Sequence, residues 1–511
     1  MKRLLTYLSI LFAGLLSAAC YKDLSTPATT TLPDIVISGL DQESYYVLYG
    51  HTLSLKAKVW EDGRDDSDFT YRWEMDLRPR SGTDRMLIGE DLTLEYKVGN
   101  TPSDHPYTLS FTARDEVTGI EAIRIMRVYV TSSLGEGLLV AHSRDGGATT
   151  EFDLVANSYV TYGFEGNTPR YTRDIYALAN EEPFQGKVTA LCARKTTNGA
   201  VYNESWITVG TPEHIINLET LTYKKALQDG DLFNMRNITD FGTTLICNGA
   251  GYQTMAVIGG EVYTDVSHTS NLFSKNGFPG EPANIFGPEN VAVGGDPQSC
   301  YAAFDPNSGK FFSIIGPFAG QQGFSETVVT SDESLVGATP LAAGPSAMLV
   351  AILIRSASGR YHVYRFGPGG VFASSFSFTN EDLSQAKWFS FCENADVLYA
   401  ASEDKIWSIL LKDGGATVRQ VTWSPDSPDE HITGIKHYRQ AFWGTQQLWT
   451  GYSFTLPTHM LQVIITTYNE KTGEGKFYLR PYNVSTGLFT FKNNGVYDGF
   501  GEIYCIAPTF R

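Results

Sequence analysis

Several sets of residues in this 511-residue chain have the types that chemistry needs. Arg170, Arg173, Arg355, Arg360, Arg365 and Arg480, with Asp174, Glu326 and Tyr504, match the inventory of a sialidase-like exo-glycosidase, which sets an arginine cluster beside a tyrosine nucleophile and an acidic partner. No motif ties them together, so arginines capping strand ends is the favoured reading. Glu430, His431 and His437 in PDEHITGIKHYRQ are metal-ligand types, but their spacing is not that of a helical metal pair, and a polar loop with a surface histidine is favoured. DPNSGK at Asp305 to Lys310 alternates oxygen ligands like a calcium loop and lacks the later bidentate acid, so it reads as a structural turn. There is no Gly-x-Ser-x-Gly in a strand-to-helix setting and no Cys-x-x-Cys. No catalytic residue, metal site or cofactor is assigned.

Aromatic side chains point to binding. Five of the eight tryptophans fall between residues 388 and 449, namely Trp388, Trp407, Trp423, Trp443 and Trp449, with Tyr438, Phe442 and Tyr452 nearby. Flat rings suit both sugars and peptides, because they bury area at small entropic cost. Trp407 in KIWSILL alternates as a core residue would and is set aside. Trp443 and Trp449 flank the polar stretch GTQQL, and together with Tyr438 they are the candidate ligand-binding aromatics for a glycan or peptide, against a competing role in sheet packing.

The most telling chemistry is covalent and lies at Cys20. Lys2 and Arg3 lead an apolar run from Leu4 to Leu16, and Ser17, Ala18 and Ala19 then place a cysteine at a cleavage point, as in a bacterial lipoprotein signal. The run is shorter than the roughly 20 apolar residues of a membrane span. Ser17 departs from the aliphatic residue preferred three places before the cysteine, and cleavage after Ala19 as an ordinary secretory signal is the alternative. A multiply acylated Cys20 would anchor the chain durably, since each buried methylene contributes about 0.8 kcal/mol.

Composition narrows the partners. Lys and Arg total 39 against 56 Asp and Glu, a net charge of −17, which argues against nucleic acid or an anionic membrane surface. Acidic residues are spread along the chain, with a local cluster from Glu61 to Asp68 that reads as a solvated loop. The six cysteines are far apart. Cys192, Cys247 and Cys392 sit in apolar strand-like runs, so a disulfide scaffold is not expected.

The elements that must position these residues are all strands. Residues 21–33 are Thr- and Pro-rich, as an extended tether would be. Between Ile35 and Thr131, short alternating runs predict about seven strands in about 100 residues, an immunoglobulin-like sandwich with Trp73 in its core and Tyr107 opening a late strand. No cysteine pair lies there, so packing alone must hold it. Beyond Gly135 the alternation continues through hairpin pairs joined by turns such as DPNSGK, RSASGR and NEKTGEGK. So many short strands predict a β-propeller-like domain of about six to eight blades, which leaves few exposed sheet edges. Asp145-Gly-Gly-Ala-Thr149 recurs as Asp413-Gly-Gly-Ala-Thr417, and Ser143, Asp145, Gly147 and Thr149 fit the "Asp box" hairpin turn of some propellers. The organisation is therefore a signal at 1–19, a lipidated tether at 20–33, a sandwich at 34–132 and a propeller-like domain at 133–511.

CYKD at Cys20 to Asp23, IVISGL at Ile35 to Leu40, YVLYGHTLSLKAKV at Tyr46 to Val59, YRWEMD at Tyr71 to Asp76 and YTLSFTARDEVTG at Tyr107 to Gly119 resemble, in order and spacing, the PKD-like lipoproteins of Bacteroidetes. EGLLVAH at Glu136 to His142 is similar to the entry into their propeller-like region. The resemblance implies a lipid-anchored outer-membrane protein facing the cell exterior, next to SusC/SusD-type nutrient-uptake proteins, and it supplies no catalytic residues. Three functions follow as expectations. The first is a non-enzymatic accessory protein of a glycan-uptake system; the alternatives are a propeller glycosidase or lyase, and a structural partner of an outer-membrane complex.

Overall fold

The computed structural model describes residues 34–509 apart from 62–67, 80–83, 101, 104, 163, 167, 199–201, 235–236, 249–253, 266–271, 276–283, 287–299, 316–324 and 442–455. It divides into two compact units, Met1–Thr131 and Ser132–Arg511. Both are built from strands. Among the described residues no helix is long and apolar enough to cross a membrane.

In the first unit a five-stranded sheet runs in the order Ser44–Leu48, Glu121–Thr131, Tyr107–Asp115, Phe69–Asp76, Arg85–Gly89. The pairing of Ser44–Leu48 with Glu121–Thr131 is parallel and the others are antiparallel. Two short ladders, Thr52–Lys56 with Thr93–Lys97 and Val36–Ser38 with Lys58–Trp60, complete an immunoglobulin- and PKD-like sandwich. The nine strands exceed the seven expected, partly because the run from Tyr46 to Trp60 breaks twice, at the Gly50 turn (φ 78°) and at the buried Ala57. Trp73 is fully buried, tilts against Phe111 at 4.5 Å and donates its Nε1–H to Asp91 O at 2.7 Å. One core surrounds it, including Leu53, Met75, Leu94, Leu109, Met126 and Val128. As expected, no disulfide contributes.

Among the described residues the second unit is a ring of seven antiparallel sheets of four strands each, the first of which also pairs with the two-residue strand Phe184–Gln185. Sheets two to seven are simple meanders, beginning with the inner strands Ala190–Asn198, Thr243–Asn248, Asn284–Phe286, Thr339–Ser346, Trp388–Phe391 and Glu430–His437. The first sheet differs. Its order is Arg170–Thr172, Thr149–Ala156, Gly137–Ser143 and then Glu502–Thr509, so the end of the chain supplies its inner strand. Leu139 pairs with Ala507 and Val140 with Ile506. This domain is β-propeller-like with seven blades.

Strand periodicity explains the packing. In Leu349–Arg355, Val350, Ile352 and Ile354 turn to the fourth blade, meeting Phe304 and Phe311. Ala351 and Leu353 face the sixth, meeting Leu398 and Trp407. Both faces of such a strand are buried between sheets, so it reads as a continuous apolar run. Seven such clusters occur, one at each junction between successive blades. The seventh joins Ile464, Phe477 and Leu479 of the last blade to Leu138, Val140 and Ile506 of the first, closing the ring. Each fully buried side chain of this kind contributes roughly 1.5–3 kcal/mol.

The turns differ behind equal letters. Asp413 (φ 52°) and Gly414 (φ 74°) form a two-residue hairpin turn with positive φ at both positions, between the paired Lys412 and Gly415. In the first hairpin it is Gly146 and Gly147 that have positive φ, while Asp145 accepts hydrogen bonds from Ser143 Oγ, Thr149 N and Thr149 Oγ1. The Asp box is thus formed once, and the repeated pentapeptide marks two unrelated turns.

Candidate functional site

Residues from the inner strands, with Ile464 and Thr466 from the second strand of the seventh blade, line a cavity of ≈ 480 Å³ at the ring axis. Ligand pockets commonly span about 300–1,000 Å³. The first, second, third, fifth, sixth and seventh blades all contribute. Trp388, Phe389 and Tyr504 supply half-buried rings; Thr189, Thr244, Thr433 and Thr466 supply hydroxyls; Lys387 and Lys436 supply ammonium groups. The remaining lining is apolar backbone and side chain such as Leu191, Ile246 and Ile435, and no carboxylate is among these residues.

Local order comes from the strands beneath. Trp388 pairs with Ala401 and Phe389 with Ala400, so small residues behind the rings leave them room. Lys436 Nζ donates to Ile506 O at 3.3 Å, tying the seventh blade to the closing strand. Lys387 is paired with Glu403 and lies 6.0 Å from the Trp388 ring centroid. The Lys187 ammonium stands 4.1 Å over the Tyr504 ring. Burial pushes the Cys505 thiol up to about 11, against the pull of Lys436 and Lys187, so it is a neutral thiol at physiological pH and not a nucleophile.

Two clusters rich in ionisable groups stand at the same end of the ring. In the first, His142 Nδ1 accepts the Gly501 N–H at 3.0 Å and its Nε2 lies 3.0 Å from Asp153. Asp153 also accepts from Arg173 at 2.6 Å and from the Asp174 N–H at 2.7 Å. Burial opposes ionisation of Asp153, yet the bonds from His142, Asp174 and Arg173 win and hold its carboxyl below the usual range. His142, Glu151 and Asp153 have ligand atoms within 4.8 Å of one another, but both ring nitrogens are engaged and a guanidinium already occupies the carboxylate. The set clasps Gly501, which leads into the closing strand. The second cluster joins His362 to Glu333 at 2.6 Å and to Ser377 at 2.8 Å, with Arg360 on Asp332 beside it. Its charges are likewise matched within the protein.

The structure redistributes the residues singled out in the sequence. Tyr438 is 1 % exposed, packed against Ile464 and Phe477, and therefore cannot stack on a ligand; this corrects its assignment as a binding aromatic. Trp443 and Trp449 lie outside the described residues, as does Cys20. Trp407 is buried between the fifth and sixth blades. Glu430 to His437 is a strand rather than a loop, with Glu430 buried under Lys476 and Tyr478 at 2.6 and 2.8 Å and His437 buried against Tyr482. A histidine on a surface loop was the wrong picture, because the segment carries the alternation Ile432, Ile435 into the seventh blade.

The arginines do not converge. Arg170 donates to Ser133 O, Arg173 to Asp153, Arg360 to Asp332 and Arg365 to Asp396 and Ser346, and Glu326 pairs with Lys310. Of the sialidase set only Tyr504 lines the cavity. Trp388, Phe389, Lys387 and Lys436 were not assigned to any site from the sequence; their one signal was a place at or next to the end of an inner strand. Asp305 caps its own turn by accepting from Asn307 N and Ser308 Oγ, as a structural turn requires. No disulfide joins Cys192, Cys247, Cys392 and Cys505.

Residues 20–187 match the PKD-like family. The match covers the sandwich and runs through the first blade. No curated protein matches the sequence. Among solved structures, the chain is similar to a quinonprotein alcohol dehydrogenase-like protein from Bacteroides thetaiotaomicron, with 13% identity, a TM-score of 0.43 and coverage of 94% of this chain and 99% of that one. It is also similar to apo AztD from Citrobacter koseri, with 11% identity, a TM-score of 0.37 and coverage of 86% and 98%. A third is the WD40 domain of SCAP from fission yeast, with 12% identity, a TM-score of 0.33 and coverage of 58% and 71%.

Proposed function

We propose that the protein is a non-enzymatic, lipid-anchored accessory protein of a SusC/SusD-type uptake system, holding a glycan in the axial cavity of its propeller. The observation that carries this reading is the cavity lining, where the Trp388, Phe389 and Tyr504 rings stand with Thr244 and with the hydrogen-bonded pair Thr433 and Thr466, while Thr189 donates to Thr243 O. Ring faces bury the apolar side of a sugar while hydroxyls meet its edges. Glycoside hydrolysis usually works through a pair of carboxylates, and the lining residues include none, which favours holding a glycan over cleaving it. Lys2, Arg3, the apolar run and Cys20 support the anchor and an outer-membrane location, with the propeller farther along the chain than the tether.

The test is a glycan array followed by calorimetry on the chain from Ser25 onward and on its Trp388→Ala variant. Loss of a ring face is expected to weaken glycan binding about tenfold or more at unchanged melting temperature. An array without hits, or a variant that binds as wild type, overturns the reading. Palmitate labelling that persists in Cys20→Ser would overturn the anchor.

A further inference from the structure

Charge distinguishes the cavity from the rest of the molecule. The chain carries 56 acidic against 39 basic residues, yet the described lining holds Lys387 and Lys436 and no carboxylate. Lys187 adds a third ammonium, lying 4.1 Å over the Tyr504 ring that faces the same space. Two acids stand close by. Glu403 pairs with Lys387 and Glu502 lies 3.4 Å from the Tyr504 hydroxyl, and both are outside the lining. In an acidic protein, ammonium groups gathered at one cavity whose described lining holds no carboxylate give it a local positive potential that attracts anions. Rings and threonine hydroxyls at the same place favour a sugar over a bare anion such as phosphate.

We infer that the cavity selects acidic saccharides, its lysines meeting the carboxylates of uronic acids while Trp388, Phe389 and Tyr504 take the ring faces. This rests on the glycan reading above and narrows it. Lys387 is exposed and Lys436 half-buried, so a ligand carboxylate can reach Lys387 by displacing Glu403 and Lys436 through the cavity. A polyuronate repeats its carboxylate along the chain, which lets two ammonium groups be met by one oligomer.

The experiment is calorimetry of the chain from Ser25 onward with oligomers of galacturonate, of mannuronate and guluronate, and of glucuronate. Each is paired with its methyl ester, which keeps the sugar and removes the charge. At least one acid oligomer is expected to bind about tenfold more tightly than its ester. Its affinity should fall about tenfold between low and about 0.5 M salt, and again in Lys387→Gln/Lys187→Gln. Both replaced lysines are exposed, and melting curves check the fold; salt dependence in the wild type stands independently of the variant. Equal binding of acids and esters would overturn the acidic selection and leave the glycan reading intact. Failure of every saccharide, with or without binding of poly-glutamate, would overturn both.

Discussion

The two units bury short strands in opposite ways: sandwich strands such as Glu121–Thr131 turn one face to the core and the other to solvent, whereas blade strands such as Leu349–Arg355 are covered on both. The sandwich keeps one core, with Trp73 at its centre and every major strand reaching it. The ring keeps seven separate cores, each lying between two neighbouring sheets. In the first arrangement a single residue can weaken the whole unit; in the second, stability resides in continuity around the circle. The ring therefore depends on the junction that the chain order makes hardest, between the seventh blade and a first blade finished only by Glu502–Thr509.

The sharpest way to break the comparison is to remove residues 502–511. This strips the inner strand from the first sheet and exposes the cluster around Leu138, Val140 and Ile464. Calorimetry is expected to show loss of the cooperative transition of the ring while that of the sandwich persists; survival of both transitions would mean the ring does not need closure. Trp73→Ala should do the converse. Deleting a buried tryptophan costs about 3–5 kcal/mol, so the sandwich transition should fall steeply with the ring transition unmoved.

A third, smaller effect belongs to the ring alone. Burial, with Arg439 and His437 nearby, pulls His459 down to about 3, and its Nδ1 accepts the Gln440 N–H. Between pH 6.5 and about 3 the unfolded chain then binds a proton the folded ring refuses, so stability falls as pH falls through this window. Acid titration of the two transitions should lower that of the ring by a few kcal/mol in total, and His459→Gln should flatten the slope. An unchanged slope would remove His459 from the account.

What could be read from the sequence was local. Alternation gave strands such as Phe69–Asp76, a continuous apolar run gave Leu349–Arg355, and the apolar neighbours of Trp73 and Trp407 identified both as core. Pairing over long distances was hidden. Nothing near Gly137 says that Ala507 will lie beside Leu139, since partners so far apart leave no pattern in a short window. For the same reason an aromatic count around residue 440 could not separate Tyr438, fully buried in a blade junction, from Trp388, half-buried beside one and lining the cavity. The repeated Asp-Gly-Gly-Ala-Thr misled because turn type depends on the strand register around it, and only the first copy has a serine, Ser143, two places before the aspartate, where the second has Leu411.

The closing strand also sets an order of events in time. As the chain is made, Gly137–Ser143 emerges early and pairs with Thr149–Ala156 on one side, but its other hydrogen-bonding edge has no partner until Glu502–Thr509 exists. Through the synthesis of the intervening blades that edge is an open template for any other extended chain. Crowding, slow elongation or a truncated product would therefore act first at this strand, making Leu138 to Ala141 the place where aggregation of the nascent protein begins.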